Sequence, residues 1–247
     1  MTTDAAHTEQ AAHVVERLDD LIGGAEHVLF DFDGPICRLF ARSRLHEVAQ
    51  SLVEWLEERG SRALLADEER ACGDPHAVLR AVSRAEPGGD LVQRLEAELT
   101  DAELLATMTA WPTAYADPLM RTLSAIGVGL AVATNHSPRA VEAYLTGRGL
   151  RECFVPHIHG RTTDLRPLKP DPDCVHRALA SLGADPEASL MIGDTPSDLH
   201  AARGAGVRFL GYSNDPFRAE RLRRAGATVV VESLEPVLEA ARRVGRP

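Results

Sequence analysis

Two aspartates separated by one residue are the most informative chemical feature of this sequence. The apolar run Val28–Phe30 leads directly into the segment DFDG at Asp31–Gly34. Such a run is typical of a strand buried in a parallel sheet, and residues two apart on a strand point the same way. Asp31 and Asp33 would then emerge together where a strand ends, which is where open α/β sheets bind ligands. Adjacent carboxylates need a cation between them or a proton on one of them. The alternative is an acidic turn after an edge strand.

Lys169 is the only lysine in a chain whose 27 basic residues are otherwise all arginine. A lysine ammonium is a compact point charge, whereas a guanidinium is a planar fork. The retained lysine therefore predicts a site that requires one small cation, and its chance survival is the alternative.

Two further segments place polar residues after apolar runs. Thr134 and Asn135 precede a helix start at Ser137, so a hydroxyl, an amide and a helix N-terminus converge in a way that suits phosphate. Plain helix capping is the alternative there. Asp194 and Asp198 follow a third run in the same manner, and Asp198 is equally compatible with a first-turn acid that favours the helix dipole.

Composition limits the classes of partner. A net charge of -10 argues against a nucleic-acid backbone or an anionic membrane as the main partner, yet allows a small anionic substrate. The four cysteines show no metal-like spacing, and the N-terminal residues lack the basic and apolar regions of a signal peptide. No apolar run approaches the roughly 18 residues of a membrane span. We therefore expect a cytoplasmic protein with reduced thiols.

The order of predicted elements indicates an α/β fold with an insert. A helix at about 9–22 precedes a strand at 27–32, and the next strong strand, at 128–133, lies about ninety-five residues later. The residues between them look helical, with helix starts at Ser43, at Asp74-Pro75, at a capping box over Thr100–Glu103 and at Asp117-Pro118.

After the second strand, helices and strands alternate, which predicts a doubly wound parallel sheet. The predicted elements are a helix at 138–149, a strand at 154–159, a helix at 170–182, a strand at 189–193, a helix at 196–205, a strand at 207–212, a helix at 216–225, a strand at 228–231 and a helix at 234–244. We assign residues 1–36 and 113–247 to the doubly wound core and residues 37–112 to an inserted α-helical subdomain.

Four ordered motifs together resemble the haloacid dehalogenase superfamily, most closely its phosphatases of the phosphoglycolate phosphatase type. The motifs are DFDG at Asp31–Gly34, VATN ending at Asn135, KP at Lys169 and GDTPSD at Gly193–Asp198. The resemblance implies a hydrolase that acts on a small phosphorylated metabolite, with Mg²⁺ as cofactor. It also implies that the core is Rossmann-like and that the insert at 37–112 is an α-helical cap, which closes over the site and excludes water.

The resemblance also assigns roles to individual residues. Asp31 would be the nucleophile that forms an aspartyl-phosphate, and Asp33 would protonate the leaving oxygen and then activate water. Mg²⁺ would bind Asp31, the Asp33 carbonyl and Asp194, with Asp198 in or next to its shell. The phosphate-binding residues implied are Gly34, Thr134, Asn135 and Lys169.

Other readings stay open. A dehalogenase would not need Asp33 as an acid, and the mutases and phosphonatases of the superfamily rely on a cap lysine that is absent here. Phospho-accepting receivers are about half as long, and a catalytically silent protein of the same fold is a further alternative. His136 could contact substrate or simply start a helix.

For two sets of basic residues, a structural or surface role is favoured over a role in binding. Surface roles are favoured for Arg38, Arg42 and Arg44, although they could hold a substrate anion. His157 and His159 form an HxH pair without a third ligand nearby in sequence, which disfavours metal binding.

Overall fold

The computed structural model describes residues 18–40, 42–162, 165 and 167–245. Its strands are β1 (His27–Phe30), β2 (Cys37–Arg38), β3 (Trp111–Pro112), β4 (Gly129–Ala133), β5 (Ile158–His159), β6 (Ser189–Gly193), β7 (Arg208–Tyr212) and β8 (Val230–Val231). Its labelled helices are α1 (Arg42–Glu58), α2 (Asp67–Ala71), α3 (Pro75–Ala85), α4 (Asp90–Thr107), α5 (Ala116–Ala125), α6 (Pro138–Gly147), α7 (Asp173–Leu182), α8 (Pro196–Gly204), α9 (Pro216–Arg224) and α10 (Glu235–Val244).

A six-stranded parallel sheet in the order β5-β4-β1-β6-β7-β8 forms the centre of the molecule. Phe30 of β1 pairs with Val132 of β4 on one side and with Ile192 of β6 on the other. The segments that follow these three strands therefore leave the sheet side by side. The predicted doubly wound α/β core is confirmed.

Both faces of the sheet are covered, which explains why β1 is a continuous apolar run. Phe30 packs in the apolar cluster on one face, and Leu29 packs in the cluster on the other. Residues 18–23 are helical, and Leu18 and Ile22 join the first cluster. The remainder of the predicted 9–22 helix lies outside the described residues, and no helix among those described is long and apolar enough to cross a bilayer.

The insert leaves and rejoins the core through a two-stranded ribbon. β2 and β3 pair antiparallel, with Cys37 opposite Pro112 and Arg38 opposite Trp111. Helices α1 to α4 lie between these strands and bury a separate apolar cluster, which includes Leu56, Leu79 and Leu95 of the insert and is joined by Leu165 of the core. That residues 37–112 act as a separate cap stays a prediction.

The predicted capping box at Thr100 is wrong. α4 runs without a break from Asp90 to Thr107, and Gly89 is its N-cap. Thr100 Oγ1 donates to Glu96 Oε1 at 2.7 Å, while Glu103 is fully buried. Tertiary packing overrides the local capping preference of Thr100 and Glu103, because the apolar residues of α4 on both sides of Thr100 are buried in the interior.

Several other elements are shorter than predicted, and two of them differ most at their starts. The strand expected at 154–159 is reduced to Ile158–His159, and a turn of 3-10 helix covers Arg151–Cys153. The helix expected from 170 begins at Asp173.

Leu95→Ala should destabilise the protein by about 2–5 kcal/mol, because it leaves a cavity in the interior of the insert. Leu105→Ala on the same helix is the matched control, since Leu105 is 69% exposed, and it should change stability by less than about 0.5 kcal/mol. Urea unfolding followed by circular dichroism measures both. Equal losses would contradict a packed interior formed by the insert.

Candidate active site

A cavity of about 650 Å³ opens at the carboxyl ends of β1, β4 and β6. Seven of the eight site residues predicted from the sequence line it: Asp31, Asp33, Thr134, Asn135, Lys169, Asp194 and Asp198. The eighth, Gly34, lines an adjoining cavity of about 360 Å³ that shares Asp33 and Asp194. The parallel register brings these distant motifs together.

Lys169 occupies the centre of the site. Its Nζ lies 2.7 Å from Asp31 Oδ1, 2.6 Å from Asp198 Oδ1 and 3.1 Å from the carbonyl oxygen of Ala133, so all three ammonium hydrogens have acceptors. Burial alone would lower the pKa of Lys169, but the Asp198 and Asp31 carboxylates outweigh burial and raise it above its ordinary value. The ammonium therefore remains charged.

Asp31 and Asp33 are in different electrostatic states. Burial favours the protonated form of Asp31, but Lys169 outweighs it and the Asp31 pKa is lowered. Burial raises the pKa of Asp33, whose Oδ1 accepts the Leu39 N–H at 2.8 Å. One acid of the pair is thus kept ionised while the other holds a proton more readily, which is the division of roles that acid–base catalysis needs.

Asp194 carries an unpaired buried oxygen. Its Oδ1 has no hydrogen-bond partner among the described residues, and its Oδ2 lies 3.5 Å from Arg218 Nη1. Burial, with the neighbouring carboxylates of Asp198 and Asp31, raises the Asp194 pKa well above its ordinary value. Asp31, Asp194 and Asp198 offer oxygen atoms within 4.8 Å of one another. This all-oxygen set with an orphaned carboxylate fits a hard divalent cation such as Mg²⁺.

Asp198 is engaged on both of its oxygens. Its Oδ1 meets Lys169, while its Oδ2 accepts the backbone N–H groups of Asp194 at 3.2 Å and Thr195 at 2.9 Å and the Thr195 hydroxyl at 2.7 Å. Thr195 in turn caps α8. Asp198 therefore supports the helix start, as one of the two sequence readings predicts, and it also contacts the Lys169 ammonium. Its binding to metal stays a prediction.

Gly34 allows the first motif to pass close to Asp194. Its φ is +119°, and a Cβ at this position would lie 2.5 Å from Asp194 Cγ. A side chain here would displace Asp194, so glycine is required both by backbone conformation and by space. Gly34 also donates its N–H to the Cys37 carbonyl at 2.7 Å.

Thr134 and Asn135 have different positions in the site. Thr134 is buried, and its hydroxyl bonds to Asp31, which helps to lower the Asp31 pKa. The Asn135 amide pairs with the backbone of Lys169, accepting from its N–H at 2.7 Å and donating to its carbonyl at 3.3 Å. Asn135 therefore holds the loop that carries the lysine, and its contact with phosphate stays a prediction.

Sequence reasoning missed a buried charged cluster beside the cavity. Glu103 of α4 accepts from Arg161 Nη1 at 2.7 and 2.8 Å and from His136 Nδ1 at 2.8 Å. In the sequence, Glu103 fits a capping box with Thr100, which hides its role in this cluster. No local sequence pattern links Glu103 to Arg161, which lies 58 residues away.

The remaining basic candidates lie outside the main cavity. Arg38 is exposed and lines the smaller cavity, whereas Arg44 donates to Thr109 Oγ1 at 2.9 Å; the side chain of Arg42 lies outside the described residues. His157 bonds Ser181 Oγ at 2.6 Å, and burial lowers the His159 pKa to about 4. Neither histidine belongs to a possible metal cluster in the described part of the chain.

Comparisons with known proteins agree with this geometry. The sequence matches the haloacid dehalogenase-like hydrolase family over residues 25–206. It is 30% identical over 205 residues to a phosphoglycolate phosphatase of Rhodospirillum rubrum, covering 80% of each chain. It is 29% identical over 226 residues to a phosphoglycolate phosphatase of Caulobacter vibrioides, covering 90% of this chain and 88% of that one.

Solved structures show the same fold. A hydrolase of this family from Deinococcus radiodurans, crystallised with phosphate and sodium, is 26% identical with a TM-score of 0.60, covering 90% of this chain and 97% of that one. A putative β-phosphoglucomutase from Bacteroides vulgatus is 18% identical with a TM-score of 0.62, covering 90% and 91%. The family match spans most of the chain and includes every motif that forms the cavity, so this protein belongs to the haloacid dehalogenase-like hydrolase family.

Proposed function

We propose that this protein is a Mg²⁺-dependent phosphatase that hydrolyses a small phosphomonoester through an aspartyl-phosphate on Asp31. The observation that carries the proposal is the contact between Lys169 Nζ and Asp31 Oδ1, which keeps the nucleophile ionised inside a largely buried site. Burial raises the pKa of Asp33 beside it, which suits Asp33 to act as the acid that the leaving oxygen requires.

The chemistry proceeds in two steps. A carboxylate oxygen of Asp31 bonds to phosphorus as the ester P–O bond breaks, and Asp33 gives its proton to the departing oxygen. Asp33, now ionised, takes a proton from the water that attacks phosphorus, and the P–O bond to Asp31 breaks to release phosphate. Lys169 and the Thr134 hydroxyl stabilise charge on the phosphoryl oxygens.

Asp31, Asp194, the Asp33 backbone carbonyl and, directly or through water, Asp198 would hold Mg²⁺. The ion supplies charge neutralisation between the acidic site and the phosphate dianion. The orphaned Asp194 Oδ1 supports this assignment, because a buried carboxylate oxygen without a partner is costly.

The substrate we propose is a small phosphorylated metabolite, and phosphoglycolate is the first candidate to test because relatives that match across most of the chain are phosphoglycolate phosphatases. The net charge of -10 disfavours nucleic acid and anionic membranes as partners, and all four cysteines are free, in keeping with a reducing cytoplasm. Asp33 favours phosphate over a haloacid, and every catalytic position is filled, which disfavours a silent protein.

The insert is proposed to be a mobile cap. It contributes Leu45, Cys72, His76 and Arg80 to the cavity wall, so its movement would open or close the site. The narrow ribbon of β2 and β3 is the connection about which it would rotate.

Asp31→Asn should abolish turnover while leaving the fold intact, because it removes the nucleophile and relieves repulsion among buried carboxylates. Phosphate release from p-nitrophenyl phosphate, with Mg²⁺ and with EDTA, measures this. Asp171→Asn, outside the cavity lining, is the control and should keep near-native activity. Near-native turnover by Asp31→Asn would refute the covalent mechanism.

Lys169→Arg should lower kcat by on the order of 10²-fold, comparable to losing one preorganised donor. A guanidinium would overfill the space in which Nζ contacts Asp31 and Asp198 at 2.7 and 2.6 Å. Steady-state kinetics measure the loss, and Arg177→Lys, whose side chain pairs with Asp173 on α7, should change kcat less than twofold. Unchanged turnover by Lys169→Arg would remove the lysine from the mechanism.

Crystals grown with and without vanadate should differ by a rigid rotation of residues 37–112 about the ribbon. The reason is that the cavity lies between insert and core, so a ligand there favours closure. Superposition of the two cores measures the angle. A fixed insert in both crystals, together with unchanged hydrogen exchange at the ribbon in solution, would contradict the cap assignment.

A further inference from the structure

Three buried polar side chains meet where the insert contacts the core. Glu103 comes from α4 of the insert, His136 from the segment between β4 and α6, and Arg161 from the segment after β5; they are 0%, 6% and 4% exposed. Such groups are rarely buried unless each is paired. The cluster is distinct from the carboxylates that surround Lys169.

Glu103 is the centre of this cluster. Its Oε1 accepts from Arg161 Nη1 at 2.7 Å and from His136 Nδ1 at 2.8 Å, and its Oε2 accepts from Arg161 Nη1 at 2.8 Å and from the Ser137 N–H at 3.0 Å. The Glu103 side chain of the insert thus hydrogen-bonds three core residues. They are His136, Ser137 at the N-cap of α6, and Arg161 in the segment after β5. These contacts exist only while the insert is docked on the core.

His136 connects the cluster to the catalytic cavity. Its ring lines that cavity, and its backbone N–H donates to Thr134 Oγ1 at 3.3 Å. Burial is the largest influence on the pKa of Asp31 and of Asp33, and His136 acts against burial at both carboxyls, although the Asp33 pKa stays raised overall. The His136 ring is therefore within electrostatic reach of the reacting groups. Because His136 Nδ1 is hydrogen-bonded to Glu103, Nε2 is the ring nitrogen that can contact a ligand.

A metal ion does not suit this cluster, although His76, Glu103 and His136 have metal-like spacing. The Arg161 guanidinium already contacts both oxygens of Glu103, so a second cation would face direct repulsion. Burial and the neighbouring His136 lower the His76 pKa to about 3, so His76 packs edge-on against His136 as a neutral ring.

We propose that His136 contacts an anionic oxygen of the substrate through Nε2, and that Glu103 is a positioning residue that fixes the His136 ring when the insert docks. The proposal rests on the proposed phosphatase function and adds a substrate contact to it. It makes the insert part of phosphate binding even though the positioning side chain does not itself touch phosphate.

A double-mutant cycle tests this assignment. His136→Asn keeps a polar group near the Nδ1 position and removes Nε2, while Glu103→Gln keeps the shape of the side chain and removes its charge. Isothermal titration calorimetry with inorganic phosphate and Mg²⁺ should show each single variant binding about tenfold more weakly. The double variant should bind no more weakly than His136→Asn alone, because Glu103 acts through the histidine.

The control is Glu96→Gln, which removes a charge that contacts Arg161 Nε at 2.9 Å without contacting His136. Its phosphate Kd should stay within twofold of wild type. For p-nitrophenyl phosphate, Glu103→Gln should raise KM and leave kcat within threefold. Additive losses in the double variant, or an unchanged Kd for His136→Asn, would overturn the proposal.

A measurement on the wild-type protein covers the case in which Glu103→Gln fails to fold. In protein labelled with ¹⁵N at the histidine rings, phosphate should shift the Nε2 resonance of His136 more than its Nδ1 resonance, with His136→Asn providing the assignment. No shift at saturating phosphate would also overturn the inference. If wild type neither binds phosphate nor turns over ester, the proposed function itself fails, which is a separate outcome.

Discussion

The concentration of carboxylates around one ammonium is the constraint on which the rest of the structure depends. Asp31, Asp194 and Asp198 bring oxygens within 4.8 Å of one another, and Lys169 contacts only two of these residues. Arg218 approaches the third at 3.5 Å from a side chain that is 45% exposed, where solvent weakens the interaction. One buried lysine cannot balance this charge and also receive a phosphate dianion. The proposed divalent cation would resolve both problems, because it would bind the orphaned oxygen of Asp194 and offset the charge of the substrate.

The fold holds this arrangement through backbone contacts rather than through the reacting groups alone. Lys169 and Asp31 are 138 residues apart, and their contact requires the loop before α7 to lie against β4. The paired hydrogen bonds between Asn135 and the Lys169 backbone fix that loop. Asp198 likewise receives two backbone N–H groups before it meets Lys169. Each reacting side chain is thus oriented by neighbours that do no chemistry, which preorganises the charges for the transferring phosphoryl group.

Most of the residues that line the candidate site could be predicted from the sequence because their signals are local. Asp31, Thr134 and Asp194 each follow a strand, and parallel strands of one sheet end at the same edge, so an apolar run followed by a polar residue is sufficient to place them. Lys169 was identifiable from composition alone. The sequence overestimates the extent of β5, since Phe154 and Val155 lie in a turn that follows the 3-10 helix and only Ile158–His159 pair as an edge strand.

The contacts between insert and core could not be predicted in this way. Thr100 and Glu103 fit a capping box in sequence, yet burial made them interior positions of a longer helix. The partners of Glu103 lie 33 and 58 residues away, and their pairing depends on how the insert docks. Asn135 has the type and position of a phosphate ligand, and only the folded loop shows that its amide is already paired with the Lys169 backbone.

A charged contact surface is compatible with the proposed movement of the insert on and off the core. An apolar surface of the same size would expose hydrocarbon to water whenever the site opened, at a cost of roughly 25 cal/mol per Å². Glu103, Arg161 and His136 are instead well hydrated when separated, and they recover that hydration energy only if all of their hydrogen bonds form together. Partial docking would leave a buried charge unpaired, so the proposed movement should favour a fully docked and a fully released position over intermediates. Because His136 belongs both to this contact and to the cavity wall, docking of the insert would also complete the proposed phosphate site.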